Sequence, residues 1–370
     1  MENFTSQCQF STPTKGNLTA NCNGSYDYYA SGVHASITGW FVFTATVSIC
    51  GTVLLVCLLV AALSQRKLRD GSGFLIVHLT CQHLFLCAIS FPVLTVDSYK
   101  ALIPGSAGLA LHCPSFMFVH KSTVHAESWA SVLLAVNRLI AVTRPLLYRR
   151  ATSRTALIGM VCASWLLGFV LNIPLFFGIG LTFTTYEPFK YCSTQSTGGP
   201  YSTVYTWMER YLPLGLTGVF YAALFVHLRL KLTVVAPSSP QRSLFTVRTK
   251  PPPDSSSHDH HNIHHPRAVR QLLLAKITAA AFLWHCLCFL PGPISQNVAP
   301  DLYASSRMPQ FWLLRTAALC GYAANPVFFF ALSSDYQTAL SHLLCKLRPA
   351  ADSPPAIAGT PKRSDRIEIL

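Results

Sequence analysis

The chain has 370 residues, 51% of them hydrophobic and 11% charged, where soluble domains carry about 25% charged residues. Its net charge of +14 does not point to nucleic acid, because the basic residues sit between long apolar runs and form no single basic face. A large apolar solvent is implied, and with it an all-α membrane protein.

Residues 1–38 are polar, rich in Asn, Ser, Thr and Gly, and carry glycosylation sequons at Asn3, Asn17 and Asn23. They are expected to form an extracellular, glycosylated N-terminal tail. Cys8 and Cys22 can bridge there, with nothing in the sequence to fix the pairing. No secretory leader is apparent in this polar stretch, so the first apolar run is expected to act as the targeting signal.

Apolar runs follow at 39–64, 73–96, 113–142, 155–180, 206–232, 270–296 and 311–333. Each is near or above the roughly 20 residues a spanning helix needs, which predicts a seven-transmembrane helix bundle over 39–334. Pro213, Pro291, Pro293 and Pro326 interrupt the last three runs, and neighbouring helices support such kinks in a membrane. The segments near 64–72, 138–154, 229–276 and 346–366 hold 21 of the 28 lysines and arginines. Basic loops stay in the cytoplasm, so this asymmetry places the N-terminus outside the plasma membrane and the C-terminus inside. Most of the 13 cysteines lie within the apolar runs, where Cys is usually a small hydrophobe.

Residues 233–268 form one long inner loop whose Pro and Ser content predicts disorder. Its histidines 258, 260, 261, 264 and 265 make a flexible tract of the kind that more often binds metal adventitiously or not at all. Residues 335–348 read as a short helix lying in the inner interface, with Leu340, Leu343, Leu344 and Leu347 toward lipid and Cys345 as a palmitoyl acceptor. The cytoplasmic tail, 349–370, ends in Glu368-Ile369-Leu370, which can add a strand to a PDZ-type groove.

The third run organises the rest. Cys113 lies 25 residues before Arg138, about 37 Å along a helix, so one helix ties an outer cysteine to an inner arginine. Pro145 follows seven residues after Arg138, Trp165 has Pro174 nine beyond it, and Pro213 has Tyr221 eight further on. Cys288-Phe289-Leu290-Pro291 and Asn325-Pro326-Val327-Phe328-Phe329 complete the set. In order and spacing these landmarks resemble the rhodopsin-like (class A) G protein-coupled receptors over roughly residues 39–348. The resemblance implies a Cys113–Cys192 disulfide over the top of the third span and a sixth-helix bend at Cys288, Phe289 and Pro291. It also implies a coupling switch at Asn137, Arg138, Tyr221, Asn325, Pro326 and Phe329. The implied partners are an extracellular ligand and a heterotrimeric G protein, besides membrane lipid, with no cofactor.

Several switch positions depart from the family. Its Asp-Arg-Tyr triplet is Asn137-Arg138-Leu139 here, and an acid of the sixth span, 20 residues before Pro291, is Gln271. Asn offers only a neutral hydrogen bond to the arginine, so both restraints are weakened. Raised basal activity or a signal-incompetent variant is expected. The second span's sodium-binding aspartate is replaced by His83, and the last span's tyrosine is Phe329. Glu127, 11 residues before Arg138, is a carboxylate in a membrane and needs a partner. It can pair with His83 across the bundle, hold sodium with Ser131 and Asn325, or stand protonated against a hydroxyl. A His83–Glu127 pair would make the site sensitive to pH.

Where receptors for biogenic amines have an aspartate, 18 residues before Arg138, stands His120, followed by Lys121. The expected ligand pocket comprises His120, Lys121, Glu209, Phe289, Gln296 and Arg315, with Arg210, Tyr205, Trp207 and Trp312 as further lining. Cations outnumber the one acid, which favours an anionic ligand. Against this, Lys121 can snorkel to the interface and Arg315 can pair with Glu209. The leading class is a ligand-gated receptor that opens its inner face to a G protein. The alternative is a seven-helix scaffold, scavenger or heteromerisation partner that does not couple. Transporters tend to show internal repeats, and none is visible. No nucleophile or metal-ligand arrangement of an enzyme stands out.

Overall fold

The computed structural model describes residues 26–102, 112–186, 191–197, 199–235, 265–299 and 308–347. The three sequons, Cys8, Cys22, most of the 233–268 loop with its histidines, and the C-terminal tail lie outside these residues. So does the side chain of Gln271.

Among the described residues, six helices are long and apolar enough to cross a membrane: Ala35–Ser64, Gly73–Ala101, Arg154–Phe176, Pro200–Leu230, Leu272–Gln296 and Gln310–Leu332. They are the first, second, fourth, fifth, sixth and seventh spans. The third, Cys113–Thr143, has the length with 31 residues but not the same apolarity, because it carries His120, Lys121, His125, Glu127, Asn137 and Arg138. Those side chains turn inward: His120, His125, Glu127, Asn137 and Arg138 are all buried. A polar helix lies stably in a bilayer when other helices wrap it, and the third span packs against the second, fourth, fifth and sixth. Close packing relies on glycine at several crossings. A Cβ on Gly51 would lie 2.6 Å from the Ala323 Cβ, and one on Gly168 would lie 2.6 Å from the Ser122 carbonyl oxygen.

The first helix starts at Tyr26 rather than near 39, because its opening turns are polar and an apolar count misses them. The fourth ends at Phe176 rather than near 180, since Gly178 and Gly180 take φ of 77°, a left-handed geometry that stops a helix. A hairpin follows, β1 (Leu181–Tyr186) antiparallel to β2 (Tyr191–Ser196), with Thr185 opposite Cys192. It is the one sheet among the described residues. A helix of 14 residues, Ser334–Leu347, follows the seventh span. It buries Tyr336 and Ala339 beside Leu58, Leu68 and Phe329, while Leu344 and Cys345 are exposed.

Three spans contain a widened π turn, in which an amide bonds the carbonyl five residues back. Phe91 N–H reaches Leu86 O in the second span, Leu212 reaches Trp207 in the fifth, and Ala317 reaches Trp312 in the seventh. Such turns insert one extra residue and re-aim the side chains around them. The sixth span breaks between Phe289 and Pro291, and the seventh at Ala324, just before Asn325-Pro326. Pro213 follows directly on the widened turn of the fifth.

Candidate functional site: a polar cavity under a disulfide-tied hairpin

The hairpin is fastened at Cys192. This residue is disulfide-bonded to Cys113 at the head of the third span, with Cα atoms 5.5 Å apart. Its N–H donates to Asp97 Oδ2 of the second span at 3.1 Å, and its carbonyl accepts from Arg315 Nη2 of the seventh at 3.2 Å. Arg315 Nη1 also donates to the Ser98 hydroxyl. One residue thus ties the hairpin to three spans. Asp97 and Ser98 were not singled out from sequence, although a buried aspartate in an apolar run is a signal in itself.

Beneath the hairpin lies a cavity of about 350 Å³. It runs from Ser193 and Thr194 on β2 down to Tyr221 and Phe329 near the opposite end of the bundle. His120, Lys121, Glu209, Phe289, Gln296 and Arg315 all line it, as does Arg210. Tyr205, Trp207 and Trp312 do not. Tyr205 is buried beside the cavity, donating to Asn172 Oδ1 at 3.0 Å, and the two tryptophans are exposed on the outside of the bundle. The widened turn Trp207–Tyr211 explains the correction, because its extra residue lets Glu209, Arg210 and Tyr211 all line the cavity while Trp207 turns away. Lys121 does not snorkel: its Nζ is 2.6 Å from Glu209 Oε1, and Arg210 Nε stands 3.9 Å from Glu209 Oε2. Glu209 pairs with those two cations, and Arg315 engages the hairpin. His120 exchanges a hydrogen bond of 2.6 Å with Ser90, which sits in the second span's widened turn.

Deeper in the cavity, His83 Nε2 lies 3.2 Å from Glu127 Oε1, which also accepts from Ser131 at 3.1 Å. His83 Nδ1 is 3.1 Å from the Asn325 side-chain amide nitrogen. An amide nitrogen only donates, so Nδ1 accepts and Nε2 carries the proton given to Glu127. His83 thus joins the second, third and seventh spans. His285 stacks on Phe289 with centroids 3.9 Å apart, and Tyr322 meets both rings edge-on. Gly321 makes room for this, since a Cβ there would lie 2.7 Å from Phe289 Cε2. His285 was also overlooked; a lone histidine in an apolar helix gives little signal. Trp165 Nε1 donates to His78 Nε2 at 3.0 Å, linking the fourth span to the second.

At the far end Arg138 is fully buried, and its Nη1 donates to Ser72 Oγ at 2.7 Å. Tyr148, on the short helix Pro145–Ala151, donates to the same hydroxyl at 3.2 Å. Asn137 is fully buried too, and neither of its amide atoms meets a hydrogen-bond partner among the described residues. Tyr221 packs nearby with Ala135, Leu224, Ala275 and Ala279.

Seven spans around a polar cavity, a disulfide-tied hairpin over one end and a buried arginine at the other define a seven-helix receptor. Residues 52–329 match the rhodopsin family of seven-transmembrane receptors, and the chain belongs to that family. It is similar to short-wave-sensitive opsin 1 of Bos taurus, 24% identical over 82% of this chain and 80% of that protein. Violet-sensitive opsin of Xenopus laevis is 28% identical over 37% of this chain and 38% of its own length. A D(2)-like dopamine receptor of Takifugu rubripes is 25% identical over 48% of this chain and 36% of the fish protein.

Proposed function

We propose that this protein is a plasma-membrane receptor, its N-terminus outside, that converts binding of an extracellular ligand into activation of a heterotrimeric G protein. The observation that carries the reading is the single cavity running from the hairpin to Tyr221 and Phe329. A ligand under the hairpin then touches the same spans whose other ends frame Arg138. The helix breaks at Leu290 and Ala324 let the Arg138 ends of the sixth and seventh spans swing while their hairpin ends stay fixed. Three cations, Lys121, Arg210 and Arg315, against Glu209 in the upper cavity favour an anionic ligand.

Basal activity is raised in this reading, because Asn137 brings no carboxylate to Arg138. The test is ligand-free recruitment of each G protein class in cells, comparing the wild type with Asn137→Asp. Restoring the acid is expected to lower basal recruitment roughly fivefold, a change of about 1 kcal/mol. If neither protein recruits any G protein, with or without stimulation, the non-coupling scaffold or heteromerisation reading takes over. That second reading draws on Asn137, Leu139 and Phe329, which together depart from the family's switch. In either reading Cys345, exposed on the interfacial helix, is a palmitoyl acceptor.

A further inference from the structure

Glu209 is the acid best placed to act as part of a switch. It is 8% exposed, lines the cavity, and has each carboxylate oxygen facing a different cation. Lys121 is largely enclosed, and Arg210, 35% exposed, also lines the cavity. The widened turn that carries Glu209 and Arg210 keeps both facing the cavity although they are adjacent in sequence. Consecutive residues of a regular helix point about 100° apart and would not share one wall.

One turn below Lys121 on the same face of the third span is His125. It is 0% exposed, yet neither ring nitrogen has a hydrogen-bond partner among the described residues. A buried imidazole without partners is costly and needs an explanation. Lys121, four residues before His125, bonds Glu209. Tyr205, four residues before Glu209 on the fifth span, meets the imidazole with ring centroids 5.0 Å apart. His125 and Glu209 thus lie on facing stretches of the third and fifth spans. A carboxylate leaving Lys121 therefore has a second hydrogen-bonding position within the protein.

We propose that Lys121 and Arg210 form the subsite for the acid group of an amphipathic ligand, that Glu209 is its internal occupant, and that His125 receives Glu209 when the ligand's acid takes its place. The ligand is a small monocarboxylate-class acid on an apolar body. Its acid repeats the contacts Glu209 makes, and its body lies against Phe91, Phe289 and Leu314 below. A volume of about 350 Å³ is at the small end of ligand pockets, which suits a compact body rather than a peptide. The handover moves a buried carboxylate from Lys121 to His125, about one turn along the third span, from a residue in the fifth span's widened turn. The fifth span's packing on the third then responds to the ligand.

This inference rests on the cavity being the ligand site. The test uses purified full-length receptor in lipid nanodiscs and three probes with one body: 4-phenylbutyrate, 4-phenylbutan-1-ol and 4-phenylbutylamine. Binding is read from the concentration dependence of thermal stabilisation. The acid is expected to bind best in the wild type, and roughly tenfold more tightly in Glu209→Gln, which removes the competing acid. Lys121→Gln is expected to lose the acid's advantage, while Lys121→Arg keeps it. His125→Phe should weaken acid binding in the wild-type background and do nothing in the Glu209→Gln background. A merely structural His125 would weaken both equally. A preference for the amine, equal binding of acid and alcohol, no binding of any probe, or loss of acid binding in Glu209→Gln overturns the proposal. Acid binding without G protein recruitment leaves this subsite standing and removes the coupling reading; recruitment by an uncharged ligand does the reverse.

Discussion

The two halves of the bundle handle buried polarity in opposite ways. Under the hairpin, formal charges meet: Lys121 and Arg210 on Glu209, and Asp97 and Arg315 on the backbone of Cys192. Deeper, Glu127 meets the imidazole of His83 and the hydroxyl of Ser131, and Arg138 donates to the hydroxyl of Ser72. Charge pairs in low dielectric are strong and exchange only for another charge. Single hydrogen bonds inside a membrane bundle are worth little each. In the proposed reading, the hairpin half selects the ligand and the arginine half changes state.

That contrast can be broken at several places. The largest effect is expected from Cys113→Ser, which detaches the hairpin from the third span across a sequence separation of 79 residues. Loss of about 2–5 kcal/mol is expected, seen as a lower unfolding temperature and reduced surface expression; an unchanged protein would show that Asp97 and Arg315 hold the hairpin unaided. Next comes Gly51→Val, where the new side chain meets Ala323, expected to cost about 1–3 kcal/mol by overpacking. Gly159→Val, with nothing within 4 Å, serves as the near-neutral control.

A double-mutant cycle of His83→Gln and Glu127→Gln sharpens the picture for the deep half. Coupling of about 0.6–1.7 kcal/mol is expected from thermal unfolding, the range double-mutant cycles give for hydrogen bonds inside membranes. A coupling much above that would mean an ion pair. The smallest effect belongs to Trp165→Phe, which removes one hydrogen bond to His78 at 3.0 Å. It is expected to cost about 0.5–1.5 kcal/mol of stability and to leave probe binding unchanged.

The spans were legible from the sequence because hydrocarbon demands long apolar runs, and the third was legible despite its polarity because Cys113 and Arg138 stand at the family spacing. The six expected pocket residues line one cavity, since helical periodicity and depth relative to Arg138 already place them. Trp207 and Trp312 were misassigned because each begins or sits in a π turn, and nothing in the local sequence marks where an extra residue enters a helix. The pairing of Glu209 with Lys121 instead of Arg315 is likewise a matter of helix rotation, which apolar patterning does not encode when most faces are apolar. Asp97 escaped notice because it lies one turn from the end of its span, where an acid also reads as an interface residue.

The fastening of Cys192 to three spans has a consequence for time as well as affinity. β2 supplies Ser193 and Thr194 as the roof of the cavity. Any molecule passing on that side has to wait for a strand held by a covalent bond and two charge-assisted contacts. Such a roof slows entry and exit together, leaving the equilibrium constant untouched while lengthening each visit. In the proposed reading, a receptor with this cover answers to how long a ligand has been present, and brief pulses of the same concentration pass largely unrecorded.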